Sequence, residues 1–368
     1  MTMSATKEPT VSLAKREEET FEEESSFQIP PDDIVAYNEL RSCADIYRMY
    51  EQGVLDIQPE FQRDIAWKPA EQTKFIDSLV KQLPIPSLCF AYDFKRQRWI
   101  VIDGLQRINT IIKFLRGEDW KLSNLEEVDP KLAGKNAKDL KDPGSAFHEL
   151  YSRVQNLTIP ITVLRCDFGK RKHMDYIFTI FHRLNTGGVK LNNQEIRNCI
   201  YGGPFNKMLH EFDKHKNWRS LVKMKKDKRH RFVKQEIALR FLAFNDRFEK
   251  YDGKLAEFLN GFMHENRFAD ELRISEWTNL FNTTVDFVFE KLMERTLPKR
   301  LPMTILESLL VGTARNISTL KALPVAKAQA KYHALLHDAA FSEDALTEGL
   351  AKKEKVVARL KRAIDIMS

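Results

Sequence analysis

At 368 residues the chain exceeds what one hydrophobic core commonly organises, so two domains are expected. Hydrophobic residues make up 43% and charged residues 30%, the balance of a water-soluble globular protein, and no apolar run approaches the roughly 18 residues a membrane helix needs. The net charge of +7 conceals an asymmetry: residues 1–26 carry seven Glu against Lys7, Lys15 and Arg16, and this −4 leaves +11 on the rest, the sign expected of a surface that meets phosphates.

The acidic stretch 1–28 cannot bury enough apolar surface to offset the entropy of ordering and reads as a disordered tail. It lacks both the apolar core of a secretory signal and the Arg-rich, acid-poor composition of a transit peptide, so a cytoplasmic protein with no membrane partner is expected. Cys43, Cys89, Cys166 and Cys199 form no C-x-x-C pair, which argues against a zinc knuckle and for buried free thiols.

Residues 29–203 mix strand and helix signals. In "FIDSLVKQL", Phe75, Ile76, Leu79, Val80 and Leu83 share one helical face, with Pro69 in the first turn and the "PIP" of Pro84 to Pro86 as the stop. "SLCFAYDF" and "RWIVI" flank a charged turn and predict a hairpin, and "LTIPITVLRC" predicts a further strand. Between these, Glu126 to Phe147 is rich in Pro, Gly, Asp and Lys and reads as a surface insertion. Then Met174, Ile177, Phe178, Phe181 and Leu184 stripe a helix ending near Asn185 and Gly187. Asn192 with Glu195 forms a capping box for the next helix, which "YGGP" ends at the domain boundary. Residues 204–368 are helical in period throughout, with Ser275 as the expected cap of "ISEWTNLFNTTVDF".

In "WIVIDGLQRINTIIKFLRGE", Ile108, Ile111, Ile112 and Leu115 mark a helix that Gly117 closes, so Asp103-Gly104 sits between a strand end and a helix N-terminus. Such a position attracts phosphate through free N–H groups and the helix dipole; Arg107 in the first turn would add a charge-assisted contact, and Asp103 could hold a divalent metal or orient water. The competing reading makes Asp103 a cap, Gly104 a turn and Arg107 surface. Spacing alone favours the cap, because D-G-x-x-R arises easily.

Three companions alter that balance: "PEFQRDIAW" with Arg63, "SLVKQLPIP", and "FHRLNTGGVKLNNQEIRN", which supplies Arg183, Asn185, Lys190, Glu195 and Arg197 around a glycine turn. In this order and spacing the four motifs resemble the N-terminal domain family of GmrSD-type modification-dependent restriction enzymes, a branch of the ParB/sulfiredoxin-like superfamily whose hallmark is D-G-Q-Q-R. The resemblance spans roughly residues 30–200. It implies a ParB/sulfiredoxin-like α/β nucleotide-binding domain at 29–203, and with the helical period of 204–368, which reads as an all-α bundle of roughly six helices, the expected fold is α+β. It further implies NTP and Mg²⁺ as cofactors, NTP hydrolysis, and a role in defence against foreign DNA. Carried over residue by residue, Asp103 (also the metal ligand), Gln106 and Arg107 are the catalytic set. Arg63, matching the arginine of Q-R-x-x-x-W, Gly104, Arg183, Asn185 and Gly188 serve nucleotide binding.

Leu105 departs from the hallmark, removing an amide that could bond a base, a phosphate or a water. Nor does 204–368 carry the His-Asn-His-type nuclease motif of many relatives; His333 and His337 of "HALLH" lack the Glu of H-E-x-x-H. The basic run Lys223, Lys225, Lys226, Lys228, Arg229 and Arg231 is a candidate DNA-binding segment or a solvated loop. Two functions compete: an NTP-hydrolysing defence protein controlling a DNA-facing or partner-facing helical domain, and a non-hydrolysing DNA-binding adaptor that recruits a separately encoded nuclease. Direct cleavage by a ParB-like nuclease ranks third. The sequence sets no oligomeric state.

Overall fold

The computed structural model describes residues 31–57, 67–184, 191–222, 232–296, 301–342, 344–346 and 349–368. Residues 1–28, Arg63, Asn185, Gly188 and the run from Lys223 to Arg231 lie outside the described residues. The chain is α+β and divides into two compact units, one reaching Leu191 and the other beginning at Asn192. No helix among the described residues is long and apolar enough to cross a membrane.

The first unit is built on a five-stranded mixed sheet in the order β1-β5-β3-β4-β2. Its strands are β1 (Val35–Ser42), β2 (Leu55–Asp56), β3 (Leu88–Asp93), β4 (Arg98–Asp103) and β5 (Thr158–Cys166). The expected hairpin is the antiparallel β3–β4 pair; β5 runs parallel to β3 and antiparallel to β1, which forms one edge. Period-two alternation decides the faces. Ile159, Ile161, Val163, Leu88, Phe90, Trp99 and Val101 join the core shared with α1 (Cys43–Glu51), α2 (Pro69–Val80), α3 (Leu105–Arg116) and, after the short α4 (Ala137–Lys141), α5 (His148–Asn156). On the opposite side α6 (Arg171–Leu184) packs on β4, burying Met174, Ile177, Phe178 and Phe181.

Pro69 occupies the first turn of α2, where its missing N–H costs nothing. The helix ends at Val80, earlier than the "PIP" stop, because Gln82 takes a left-handed φ of 54°; Leu83 is consequently half exposed. The stretch 126–147 is not a surface insertion: Val128, Leu132, Ala137 and Leu140 are buried in the main core, and backbone bonds from Leu122 to Lys135 and from Ala137 to Trp120 fold it down. Few and irregularly spaced, those four apolar residues give no periodic signal.

The second unit is helical. It opens with α7 (Asn193–Ile200), started by the Asn192–Glu195 capping box, and continues through α8 (Pro204–Phe212), α9 (Lys216–Leu221), α10 (Val233–Arg247), α11 (Leu255–Asn266) and α12 (Glu271–Asp286). A π-helical turn at Phe287–Leu292 follows, then α13 (Met303–Arg315), α14 (Ile317–Ala322), α15 (Val325–His337) and α16 (Lys353–Met367). Asp270, not Ser275, caps α12, accepting a 2.9 Å bond from the Arg273 N–H; a polar first turn hid the true start.

This unit is pinned by buried charge. Arg240 of α10 donates from Nε to Glu307 Oε2 of α13 at 2.7 Å, with both side chains almost sealed. Arg197 of α7 reaches Glu236 at 3.1 Å and Asn260 at 2.9 Å. Burial pulls the Arg197 guanidinium below its ordinary value while Glu236 opposes the shift. Removing one partner strands the other charge: Glu307→Ala should lower unfolding free energy by about 3–5 kcal/mol in a urea titration, and Arg240→Met with Glu307→Leu together should recover most of it.

Asp213 carries a different liability. Burial pushes its carboxyl from 3.8 up to about 6. Between these values the folded state binds the extra proton, so stability falls as pH rises through that window. Asp213→Asn should flatten the dependence of Tm on pH between about 4 and 6 and raise Tm at pH 7.

Candidate functional site

The chain leaves β4 and enters α3 through one residue. Gly104, the N-cap of α3, has φ of 92°, and a Cβ there would lie 2.2 Å from Leu88 Cδ2, so both backbone conformation and space demand glycine. Just before it, Cys89 pairs with Asp103 while Phe90 pairs with Val101, leaving Ile102 as the extra residue of a β-bulge. Bulges re-aim the side chains beside them, and here the one re-aimed is Asp103.

Arg107 then closes the corner. Its Nη2 donates to Asp103 Oδ2 at 2.7 Å, and the guanidinium also reaches the carbonyls of Pro86 and Ser87. The Arg107 side chain is 13% exposed; burial pulls its pKa below the ordinary guanidinium value, and Asp103 opposes that. Gln106 turns elsewhere: its Oε1 accepts the Trp67 backbone N–H at 3.0 Å. Trp67 in turn packs edge-on against Phe75 of α2, 5.4 Å between ring centres. Three separated motifs therefore meet, since Pro86 belongs to "SLVKQLPIP", Trp67 to "QRDIAW" and the helix start to "DGLQR".

Leu105, the departure from the hallmark, packs against the apolar core. Beside the site, the Cys89 thiol is pushed up to about 12 by burial and then by the Asp103 charge, so it stays neutral and is no nucleophile. Arg183 lies exposed in the last turn of α6. Neither of two surface clefts, one of about 430 Å³ near Arg153 and one of about 540 Å³ near His215, includes Asp103 or Arg107. Among the described residues no group of three or more His, Cys, Asp or Glu is placed to hold a metal ion. Asp103, as a carboxylate outside any such group among the described residues, suits Mg²⁺ when phosphate oxygens and waters complete the shell, which is how Mg²⁺ is commonly held.

A second polar cluster had no sequence signal. His173, nearly sealed at the start of α6, accepts the Asp167 N–H on Nδ1 at 3.0 Å and meets Asp33 Oδ1 through Nε2 at 2.8 Å. The first bond assigns the proton to Nε2. Asp33, also paired with Lys170, is pulled down to about 2 by Lys170 and His173. The cluster clamps the chain before β1 to the start of α6, and its partners are too far apart in sequence for spacing to disclose it.

Residues 43–202 match the family model described as the GmrSD restriction endonuclease, N-terminal domain. That segment belongs to this domain family, as its four motifs suggest. Neither a curated protein nor a solved structure matches the chain. The matched segment starts at α1, after β1, and runs through α7, which packs within the helical unit.

The glycine and the amide acceptor give two expectations. Gly104→Ala should lower stability by about 1–3 kcal/mol through the left-handed turn alone, read by thermal unfolding, with the Leu88 clash adding to it. Gln106→Met should cost about 1 kcal/mol by orphaning the Trp67 N–H, and should speed hydrogen exchange at that amide.

Proposed function

We propose that the protein is a restriction-type defence protein whose Asp103–Arg107 corner binds a nucleoside triphosphate with Mg²⁺, nucleotide occupancy controlling the helical unit's dealings with DNA or a partner. The observation that carries this is the Arg107–Asp103 ion pair at 2.7 Å over the N-terminus of a twelve-residue helix. A cation, a carboxylate and the first-turn N–H groups of the helix stand together there, the set that recognises a metal-bound phosphate. The domain-family match supports the restriction-type reading. A mixed sheet with helices on both faces supports the ParB/sulfiredoxin-like architecture.

In this reading Arg107 contacts phosphate oxygens while Gly104, lacking a side chain, lets them approach the backbone. Asp103 would share Mg²⁺ with the phosphates, and Mg²⁺, when bound, neutralises developing charge on the transferred group. Gln106 contributes by holding Trp67, and with it the downstream end of the segment that carries Arg63, rather than by touching substrate. Arg63, Arg183, Asn185 and Gly188 are proposed to complete the nucleotide contacts.

A second reading has one observation in its favour. Leu105 spends its side chain on the core where the hallmark has an amide, which suits a non-hydrolysing DNA-binding adaptor that recruits a separately encoded nuclease.

Phosphate release from NTPs with Mg²⁺ separates the two. Under the first reading wild type turns over at least one NTP, and Asp103→Ala and Arg107→Ala each lower the rate at least about a hundredfold without loss of fold. Nucleotide binding with no phosphate release selects the adaptor, and unchanged release in both variants rejects the site. For DNA, replacing Lys223, Lys225, Lys226, Lys228, Arg229 and Arg231 by Gln should flatten the log–log salt dependence of binding by about 0.9 for each phosphate no longer neutralised. An unchanged slope returns the segment to solvent.

A further inference from the structure

At the end of the sheet away from Asp103, four strands line up one row of side chains. Val35 of β1 pairs with Arg165 of β5, Arg165 with Tyr92 of β3, and Tyr92 with Trp99 of β4. Residues directly paired across strands share a face, so these four side chains form one continuous strip. Tyr92 stacks on Trp99 with ring centres 4.2 Å apart and planes 23° apart. Arg41 lies over the Trp99 ring at 4.8 Å, and the Arg165 guanidinium lies over the Phe94 ring at 4.0 Å. Tyr37, two residues along β1 from Val35 and on its face, is 37% exposed, and Val35 is 49% exposed. The phenol of Tyr37 has its pKa raised by partial burial and by Glu39, with Arg41, Tyr92 and Arg165 also acting on it, which places it among them.

Core packing accounts for Trp99, which is buried, but not for an edge strand that turns Tyr37 and Val35 to water. The strip joins flat aromatic faces to arginine planes. Among the described residues the strip's one acid, Glu39, is held by Arg41, and no ion pair engages the exposed Arg165, whose positive charge is left to the strip. Flat aromatic and guanidinium faces beside positive charge suit unpaired bases, which stack on them while arginine meets phosphate. A paired duplex offers no such faces except at its ends.

We propose that the β1–β5–β3 end of this sheet is a stacking platform for single-stranded DNA, with Tyr37 and Tyr92 taking bases and Arg165 taking phosphate. The proposal rests on the reading that this protein meets DNA. It is separate from the nucleotide corner, which lies at the opposite end of β4.

The test is fluorescence anisotropy with the full-length protein, comparing a labelled short oligothymidylate with an abasic strand of the same length and charge. Wild type should bind the thymidylate about tenfold more tightly than the abasic strand. Tyr37→Ala should abolish that preference and Tyr37→Phe should keep it. Arg165→Gln should weaken both strands alike. Equal binding of the two strands by wild type overturns the proposal, as does an undiminished preference in Tyr37→Ala. A concentration-dependent dimer lost in Tyr37→Ala also overturns it, because a second copy would then cover the face. Duplex binding indifferent to Tyr37 refutes the platform and spares the DNA reading; no binding to any DNA refutes both.

Discussion

β4 passes into α3 through a single residue, and Gly104 makes that junction in a conformation closed to most side chains, at φ of 92° with Leu88 pressed against it. The geometry of the corner follows. The bulge at Ile102 re-aims Asp103, the helix begins immediately at Leu105, and Arg107 falls one turn on, within 2.7 Å of the carboxylate. A slower turn would separate the two charges and pull the helix N-terminus away from both.

The Asp103–Arg107 pair is a poor device for stability alone. Arg107 is largely desolvated, and the Coulomb gain of such pairs roughly repays what desolvation costs. Its value is orientation: Arg107 is also braced on the carbonyls of Pro86 and Ser87, so its plane is set before any ligand arrives. In the proposed function a metal-bound triphosphate offers each member a stronger partner, phosphate for Arg107 and Mg²⁺ for Asp103, and binding proceeds by exchange rather than by ordering. The buried Arg240–Glu307 and Arg197–Glu236 pairs fix helix to helix in the second unit by the same logic.

Periodic signals were legible wherever one face of an element meets one core. The β3–β4 hairpin, β5, α3 with its buried Ile108, Ile111, Ile112 and Leu115, and the Asn192–Glu195 capping box all stand where spacing places them. The fold of 126–147 was not legible, because its four core residues are irregularly spaced, nor was the cap of α12, whose first turn is exposed. β1 escaped for a related reason: as an edge strand its sequence lacks a clean alternation, and its residues are mostly exposed. At the site, Asp103, Gly104, Gln106 and Arg107 could be named from sequence, but their roles could not be divided. That Gln106 serves Trp67 while Arg107 serves Asp103 depends on hydrogen bonds spanning 39 residues in one case and four in the other. Clusters assembled from distant positions, such as Asp33 with His173, leave no mark in local spacing.

The central claim, that this corner is a nucleotide site, is tested most directly by calorimetric titration of the full-length protein with a non-hydrolysable triphosphate analogue in the presence of Mg²⁺. The account predicts saturable binding that requires Mg²⁺ and that Arg107→Ala and Asp103→Asn each weaken at least about tenfold, with Leu105→Gln leaving it intact. Binding unchanged in both variants, or no binding of any triphosphate by the wild-type protein, would contradict it.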